Sequence, residues 1–153
     1  MPTQSTFPSD IHIRTATKND APIIYDFLCT LEGTTLDQAA FNTVFDHNLA
    51  NRLIYYLVAE RFSEIVGFVS CHVQYILHHC GKVGEIQELF VRPDVRNQHI
   101  GKQLMTALDV LAGQENFINL EVTTNQKRTD TIRFYERESF SLTHFKLVKP
   151  IHP

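Results

Sequence analysis

A chain of 153 residues has the length of one ordinary domain, so a single core and one principal site are expected. Its composition, 43% hydrophobic and 20% charged, is that of a globular protein, and it contains no apolar run of the roughly 18 residues that a membrane span requires. The formal net charge of −3 argues against a nucleic-acid-binding surface, because such surfaces carry a basic excess.

The N-terminus and the cysteines indicate the compartment. Residues 1–10 (MPTQSTFPSD) have neither the basic nor the apolar region of a signal peptide, so we expect a flexible tail followed by one domain over residues 11–153. The cysteines Cys29, Cys71 and Cys80 are odd in number and lack metal-ligand spacing. They predict free thiols in a reducing cytoplasm.

The first half of the chain predicts a strand, two helices and a β-hairpin. After a strand over residues 11–16, Asn19 and Asp20 offer an N-cap to a helix with Pro22 in its first turn. Thr35 and Gln38 have capping-box spacing and predict the start of a second helix. Two runs typical of strands, residues 53–60 and 65–77, flank a predicted hairpin turn at residues 61–64.

The second strand of this hairpin alternates regularly. Its apolar residues are separated by Ser70, His72 and Gln74, which predicts a sheet with one apolar face.

The next strand, residues 83–91, breaks this alternation. Ile86 begins one phase and Leu89 continues in the other, as if one residue were inserted at Gln87 or Glu88. A β-bulge accounts for such a phase slip and would re-aim backbone groups. The alternative is a strand buried on both faces, which need not alternate.

The remaining elements complete the predicted order. A helix begins near Ile100 and ends at Gly113, a strand follows over residues 117–122, a helix spans Thr129 to Glu138, and a closing strand covers residues 140–148. The order is β-α-α-β-β-β-α-β-α-β, which predicts an α/β fold with a mixed sheet and helices on both faces.

The turn between the third helix and the strand before it, RNQHIGK at residues 96–102, has the properties of an anion site. A helix start presents unpaired N–H groups and partial positive charge, and Gly101 permits a close approach of the backbone. A Walker A loop would need glycine in place of Arg96 and Ser or Thr in place of Gln103, which argues against a nucleotide triphosphatase.

Two motifs resemble the GCN5-related N-acetyltransferase (GNAT) superfamily. LFVRPDVRNQHIGKQL is similar to its acetyl-CoA motif, in which Arg96 and Gly101 match [RQ]-x-x-G-x-[GA], and RFYERESF is similar to its later helix ending F-Y-x-x-x-G-F. His99 and Ser139 stand where these motifs have glycine. LHH, GEIQELFV, NQKR and a late HF further resemble the bacterial aminoalkylphosphonate N-acetyltransferases.

The resemblance implies a GNAT fold, whose mixed, mostly antiparallel sheet has a bulged, splayed strand pair at the acetyl-CoA site. It implies that Glu88 is the general base, that the Leu89 N–H polarises the thioester carbonyl, and that Tyr135 donates a proton to the CoA thiolate. The implied acetyl-CoA contacts are Leu89, Phe90, Val91, Arg96, Asn97, Gln98, His99, Ile100, Gly101, Lys102, Asn125, Arg128 and Tyr135.

Each catalytic role has an alternative. Glu85 is the second candidate for the base, and either carboxylate is equally explained as a solvated or ion-paired strand residue. Tyr135 is also explained as a core residue of an amphipathic helix.

The substrate side depends on the resemblance alone. Glu85, His78, His79 and His144 are its candidate residues, although two adjacent histidines on a regular strand would point to opposite faces. The phosphonate enzymes are associated with divalent-metal dependence, so a metal near one of these histidines is an open expectation. Lys127, Arg128 and Arg133 are candidates to meet a phosphonate, or else form a solvated helix face.

We therefore expect a cytoplasmic enzyme that transfers acetyl from acetyl-CoA to the primary amine of a small molecule, plausibly an aminoalkylphosphonate, by direct transfer in a ternary complex. The alternatives are an acyl-CoA-binding sensor without turnover and a protein or peptide N-acetyltransferase. No membrane or nucleic-acid partner is expected, and a homodimer is an expected assembly because homodimers are common in the resembled family.

Overall fold

A computed structural model describes residues 10–152 of the chain. One five-stranded sheet in the order β1-β2-β3-β4-β5 is antiparallel except for the parallel pair β4–β5. The strands are β1 (Ile11–Thr15), β2 (Ile54–Arg61), β3 (Glu64–Ile76), β4 (Gly81–Val91) and β5 (Phe117–Val122). The helices are α1 (Ala21–Glu32), α2 (Gln38–Leu49), α3 (Ile100–Gln114) and α4 (Thr129–Arg137). None of these helices combines the length and apolarity of a membrane span.

Helices cover both faces of the sheet, as the sequence predicts. On one face, Ile24 and Phe27 of α1 and Phe45 of α2 pack against the sheet. On the other face, Leu104 and Leu108 of α3 pack in a second cluster, which includes Tyr135 of α4. The expectation of one apolar face for β3 is wrong, because Phe68 and Ser70 are buried on the side of α1 and α2.

The two helix starts differ in how well they were predicted. The first agrees: Asp20 is the N-cap of α1, and a proline occupies its first turn. The second helix begins two residues later than the Thr35 capping box predicts, because Asp37 is the N-cap and its carboxylate accepts from the Ala40 N–H at 2.8 Å. A carboxylate at the N-cap satisfies one unpaired helix N–H, as the threonine hydroxyl would have done.

The predicted bulge is present in β4. Ser70 of β3 lies opposite Glu88 and Cys71 lies opposite Ile86, so Gln87 is the extra residue. The pairing of β4 with β5 ends at Ile86 and Val122, whereas β4 continues to Val91. The two parallel strands therefore diverge beyond the bulge and leave one side of residues 88–91 open.

Gly67 allows the start of α3 to lie directly against the sheet. A Cβ atom at this position would lie 3.2 Å from both Ile100 Cγ2 and Leu104 Cδ1, which is closer than ordinary packing permits. The absence of a side chain at Gly67 thus helps to place the N-terminus of α3 next to the diverging strands.

Two predictions for the second half of the chain are wrong. The third helix continues through Gly113, and the left-handed residue after it is Asn116. No strand follows α4 within the described residues, and Leu142, Phe145 and Leu147 of the predicted closing strand are largely exposed. Alternating apolar residues form a strand only where a partner edge pairs with them.

Candidate active site

Two cavities meet at the bulge. The first, of about 380 Å³, lies between α2 and the sheet and has aromatic walls that include Phe41, Phe45 and Phe68; we call it the α2 cavity. The second, of about 290 Å³, lies where β4 and β5 diverge, with Leu89 on one side and Thr123 on the other; we call it the β4–β5 cleft. Gln87 and Glu88 line both cavities.

Glu88 is a half-buried carboxylate held by one hydroxyl group. The hydroxyl group of Ser70, on the neighbouring strand, donates a hydrogen bond to the Glu88 carboxylate. The same hydroxyl oxygen accepts a hydrogen bond from the Glu88 N–H at 3.0 Å. Burial raises the pKa of Glu88 above its ordinary value, against the opposing effects of the Ser70 hydrogen bond and of His72. A carboxylate with a raised pKa is a stronger base near neutral pH than an exposed one.

The backbone beyond the bulge presents N–H groups to the cleft. The N–H groups of Glu88 and Arg92 both donate to acceptors on β3, at 3.0 and 2.9 Å. Because successive N–H groups of an extended strand point in opposite directions, the N–H groups of Leu89 and Val91 point toward the side that β5 has left. The cleft therefore has an edge of outward-pointing amides, to which an extended ligand can bind as an added strand.

The turn before α3 has the conformation of an anion-binding loop. Asn97 and His99 both have positive φ, 62° and 64°, and His99 is the N-cap of α3. The family glycine that His99 replaces thus occupies a left-handed position, which a histidine tolerates at a cost of about 1 kcal/mol. A left-handed residue followed by a right-handed one, as at His99 and Ile100, turns successive N–H groups toward one point, which favours an anion.

Side-chain contacts hold this turn in place. Arg61 donates to the Gln98 side chain at 2.6 Å and to Asp10 at 2.8 Å. Arg96 donates to the carbonyl oxygen of Val91 at 3.1 Å and is exposed. The side chain of Gln98 is therefore engaged within the protein. A ligand would meet mainly the main chain of residues 96–102, of which Gly101 and the exposed Lys102 lie in the first turn of α3.

Tyr135 lines the β4–β5 cleft from α4. It is buried, and burial raises the pKa of its phenol to about 12. The hydroxyl group is therefore protonated throughout the physiological pH range and can act as a proton donor. The motif glycine that Ser139 replaces also occupies a left-handed position, since φ of Ser139 is 72° just after α4.

Asn125 and Arg128 lie at the mouth of the same cleft. Asn125 forms the turn before α4 by accepting from the N–H groups of Lys127 and Arg128, each at 2.9 Å. Arg128 donates weakly to the carbonyl oxygen of Leu31 at 3.4 Å and, among residues 10–152, is the one lysine or arginine that lines either cavity. Its charge is available to an anionic group of a ligand.

The predicted substrate-side residues are only partly brought together. Glu85 lies opposite His72 and accepts from the Thr123 hydroxyl at 3.4 Å, but it lines neither cavity. His144 lies in the exposed segment after α4, away from both cavities. Of the two carboxylates, Glu88 alone faces the cleft and the α2 cavity.

His78 and His79 are arranged differently from the prediction. They lie on a short 3₁₀ turn between β3 and β4, where their rings are 4.4 Å apart instead of pointing to opposite faces. His79 lies 3.7 Å from the carboxylate of Glu121. Within residues 10–152, no three His, Cys, Asp or Glu side chains converge in a group that could hold a metal ion.

Several site residues have no signal in the sequence. Ser70 and His72 look like the solvent-facing positions of an alternating strand, yet Ser70 is fully buried beside Glu88. In the α2 cavity, Asn48 donates to the Tyr56 hydroxyl at 2.6 Å. The register between β3 and β4 and the packing of α2 bring these groups near Glu88.

This site lies in a fold that is shared with known acetyltransferases. The sequence profile of the Acetyltransferase (GNAT) family matches residues 22–140. The aminoalkylphosphonate N-acetyltransferase of Salmonella typhimurium is 40% identical over 139 residues, which cover 91% of this chain and 90% of that protein.

Solved structures show the same fold. A transcriptional regulator from Bacillus halodurans has a TM-score of 0.85 at 23% identity, covering 92% of this chain and 99% of that one. The aminoglycoside N-acetyltransferase AAC(6')-Iy, solved in complex with CoA, has a TM-score of 0.83 at 16% identity, covering 97% and 99% of the two chains.

The family profile and the Salmonella relative agree that this fold is that of an acetyltransferase. The chain belongs to the GNAT acetyltransferase family.

Proposed function

We propose that this protein transfers the acetyl group of acetyl-CoA directly to the primary amine of a small molecule, and that the acceptor is an aminoalkylphosphonate. The observation that carries the proposal is the position of Glu88, whose carboxylate is shared by the α2 cavity and the β4–β5 cleft. A base at the junction of the α2 cavity and the β4–β5 cleft can reach an acceptor amine from one cavity and a thioester from the other.

The cleft and the turn before α3 fit acetyl-CoA, which would supply an activated acetyl group. The outward-pointing amides of Leu89 and Val91 are suited to the pantetheine arm. The backbone N–H of Phe90, which lies between them, points to β3 instead. The left-handed Asn97 and His99 and the start of α3 suit the pyrophosphate. The remaining proposed contacts are Arg96, Gln98, Ile100, Gly101, Lys102 and Asn125, whereas Arg128, which the resemblance also placed at acetyl-CoA, is assigned to the acceptor.

Three groups of this chain divide the chemistry. A free alkylamine is mostly protonated at neutral pH, with a reference pKa of about 10.4, and Glu88 accepts that proton. The Leu89 N–H donates to the thioester oxygen as negative charge develops on it. Tyr135 donates a proton to the departing thiolate, and its pKa of about 12 keeps that proton in place until it is needed.

Direct transfer agrees with the state of the buried cysteine. Cys71 lies on the face of the sheet opposite Ser70, and burial raises the pKa of its thiol to about 12. A thiol in this state is a poor nucleophile, because the thiolate is the reactive form. Cys80 lies in the turn between β3 and β4, outside both cavities. Cys29 likewise lines neither cavity, so none of the three cysteines, all within residues 10–152, lies where it would accept the acetyl group ahead of the amine.

The phosphonate part of the proposal rests on the Salmonella relative and on Arg128. The relative is 40% identical over 91% of this chain, and its name specifies an aminoalkylphosphonate acceptor. Arg128 is the cation at the mouth of the cleft, and a guanidinium group binds phosphonate oxygens with two parallel hydrogen bonds. With the acceptor amine at Glu88, the Arg128 guanidinium would bind the phosphonate group of the same molecule.

We further propose that residues 11–153 form one cytoplasmic catalytic domain and that two chains associate. The three cysteines are free thiols, which supports a reducing compartment. Leu142, Phe145, Leu147, Val148 and Ile151 are each three-quarters or more exposed, and among the described strands β5 has one neighbour, β4. A segment of this composition is suited to pairing with the β5 edge of a second chain.

Tyr135→Phe should lower kcat by about a hundredfold or more, because it removes the proton donor to the thiolate. The dissociation constant of acetyl-CoA, measured by calorimetry, should stay nearly unchanged. Tyr75→Phe is the matched control, since Tyr75 is exposed on β3, and it should leave both quantities unaltered. An undiminished kcat in Tyr135→Phe would remove Tyr135 from the reaction.

The acceptor is tested by release of free CoA thiol across a panel of amines. We expect kcat/KM for aminomethylphosphonate to exceed that for a simple alkylamine by about tenfold or more, and Arg128→Ala to abolish this preference because a charge-assisted contact is lost. Arg137→Ala, on the same helix, is the control. Preference for peptide amines, or acetyl-CoA binding with no turnover on any amine, would contradict the proposal.

Association is tested by sedimentation velocity at micromolar concentrations. The full chain should sediment as a dimer, and Phe145→Asp with Leu147→Asp should shift it to the monomer, because charged side chains do not fit an apolar strand interface. Monomeric sedimentation of the unmodified chain would contradict the proposed dimer.

A further inference from the structure

Ser70 carries a hydroxyl group that is completely buried. It lies in β3 between Val69 and Cys71 and has no exposed surface. A buried hydroxyl without a hydrogen-bond partner costs about 1–3 kcal/mol, so its partners are informative. Both partners of Ser70 belong to the same residue, Glu88.

The two hydrogen bonds of Ser70 have different consequences. The hydroxyl oxygen accepts from the Glu88 N–H at 3.0 Å, at the point where the inserted Gln87 interrupts the ladder between β3 and β4. This contact replaces a main-chain partner that the bulge removes. The hydroxyl hydrogen is donated to the Glu88 carboxylate, which fixes the orientation of the side chain. One hydroxyl thus fixes both the backbone and the carboxylate of Glu88.

This arrangement leaves one carboxylate oxygen of Glu88 for the substrate. Ser70 donates to Oε2, and Oε1 has no donor among the described residues. The ionisable groups around the carboxylate are His72 of β3, Tyr56 of β2 and Glu32 of α1, together with Arg128 and Tyr135, which line the same cleft. Among the groups around Glu88, Ser70 is the one that hydrogen-bonds to the carboxylate itself.

We infer that Ser70 is a positioning residue of the reaction, which holds the Glu88 carboxylate at the junction of the two cavities with one oxygen directed to the acceptor amine. The inference rests on the proposed role of Glu88 as base. Because a donated hydrogen bond favours the charged carboxylate, loss of the Ser70 hydroxyl raises the pKa of Glu88. The acidic limb of the pH profile of kcat/KM then moves to higher pH.

Ser70→Ala should move the acidic limb of the kcat/KM profile to higher pH by about one unit. At the low-pH end of that limb kcat/KM should fall by about tenfold, with acetyl-CoA affinity unchanged. Ser70→Thr keeps the hydroxyl and should leave the limb in place. Val69→Ala is the packing control: Val69 is equally buried and faces the other side of the sheet, so it should loosen the core without moving the limb.

Carbon-13 NMR of the glutamate carboxyl groups separates this inference from the proposed function. The Glu88 signal, assigned by its loss in Glu88→Gln, should titrate at higher pH in Ser70→Ala than in the unmodified protein, whether or not any amine is acetylated. If Ser70→Ala does not fold, Ser70→Cys, a weaker donor of similar size, should give an intermediate shift. An unshifted Glu88 titration in a folded variant overturns the inference.

Discussion

The site depends on one extra residue in β4. Gln87 has no opposite residue on β3, and this insertion changes the face to which each later side chain of the strand points. As a result, Glu88 faces α1 and α2, and the amide of Leu89 faces the side where β5 has diverged. The proposed base and the proposed amide donor are therefore products of the same distortion, which the hydroxyl of Ser70 holds in place.

Burial then gives the two ionisable groups complementary states. It raises the pKa of Glu88, which makes its carboxylate a better base, and raises that of Tyr135 to about 12, which keeps its phenol protonated. Both groups line the β4–β5 cleft, Tyr135 from α4 and Glu88 from β4, and Glu88 also lines the α2 cavity. In the proposed mechanism, the proton removed from the amine and the proton given to the thiolate are therefore handled by two different residues.

Features that depend on one segment of the chain could be predicted from the sequence, whereas features that depend on pairing with another strand could not. The phase slip in β4 is visible because apolar alternation is a property of one strand, and the positive φ of His99 agrees with the motif glycine that it replaces. The role of Ser70 depends on cross-strand register, which no pattern in β3 alone reveals. The closing strand over residues 140–148 was wrong for a related reason: its alternation is real, but no edge within the described residues pairs with it.

The most direct test of the account is the pH dependence of kcat/KM in Glu88→Gln. We predict a loss of about a hundredfold or more near pH 7, with acetyl-CoA affinity retained, because the amide cannot accept the amine proton. The deficit should shrink as the pH approaches the pKa of the amine, about 10, where the neutral nucleophile forms without a base. A profile equal to that of the unmodified enzyme would show that Glu88 is not the base.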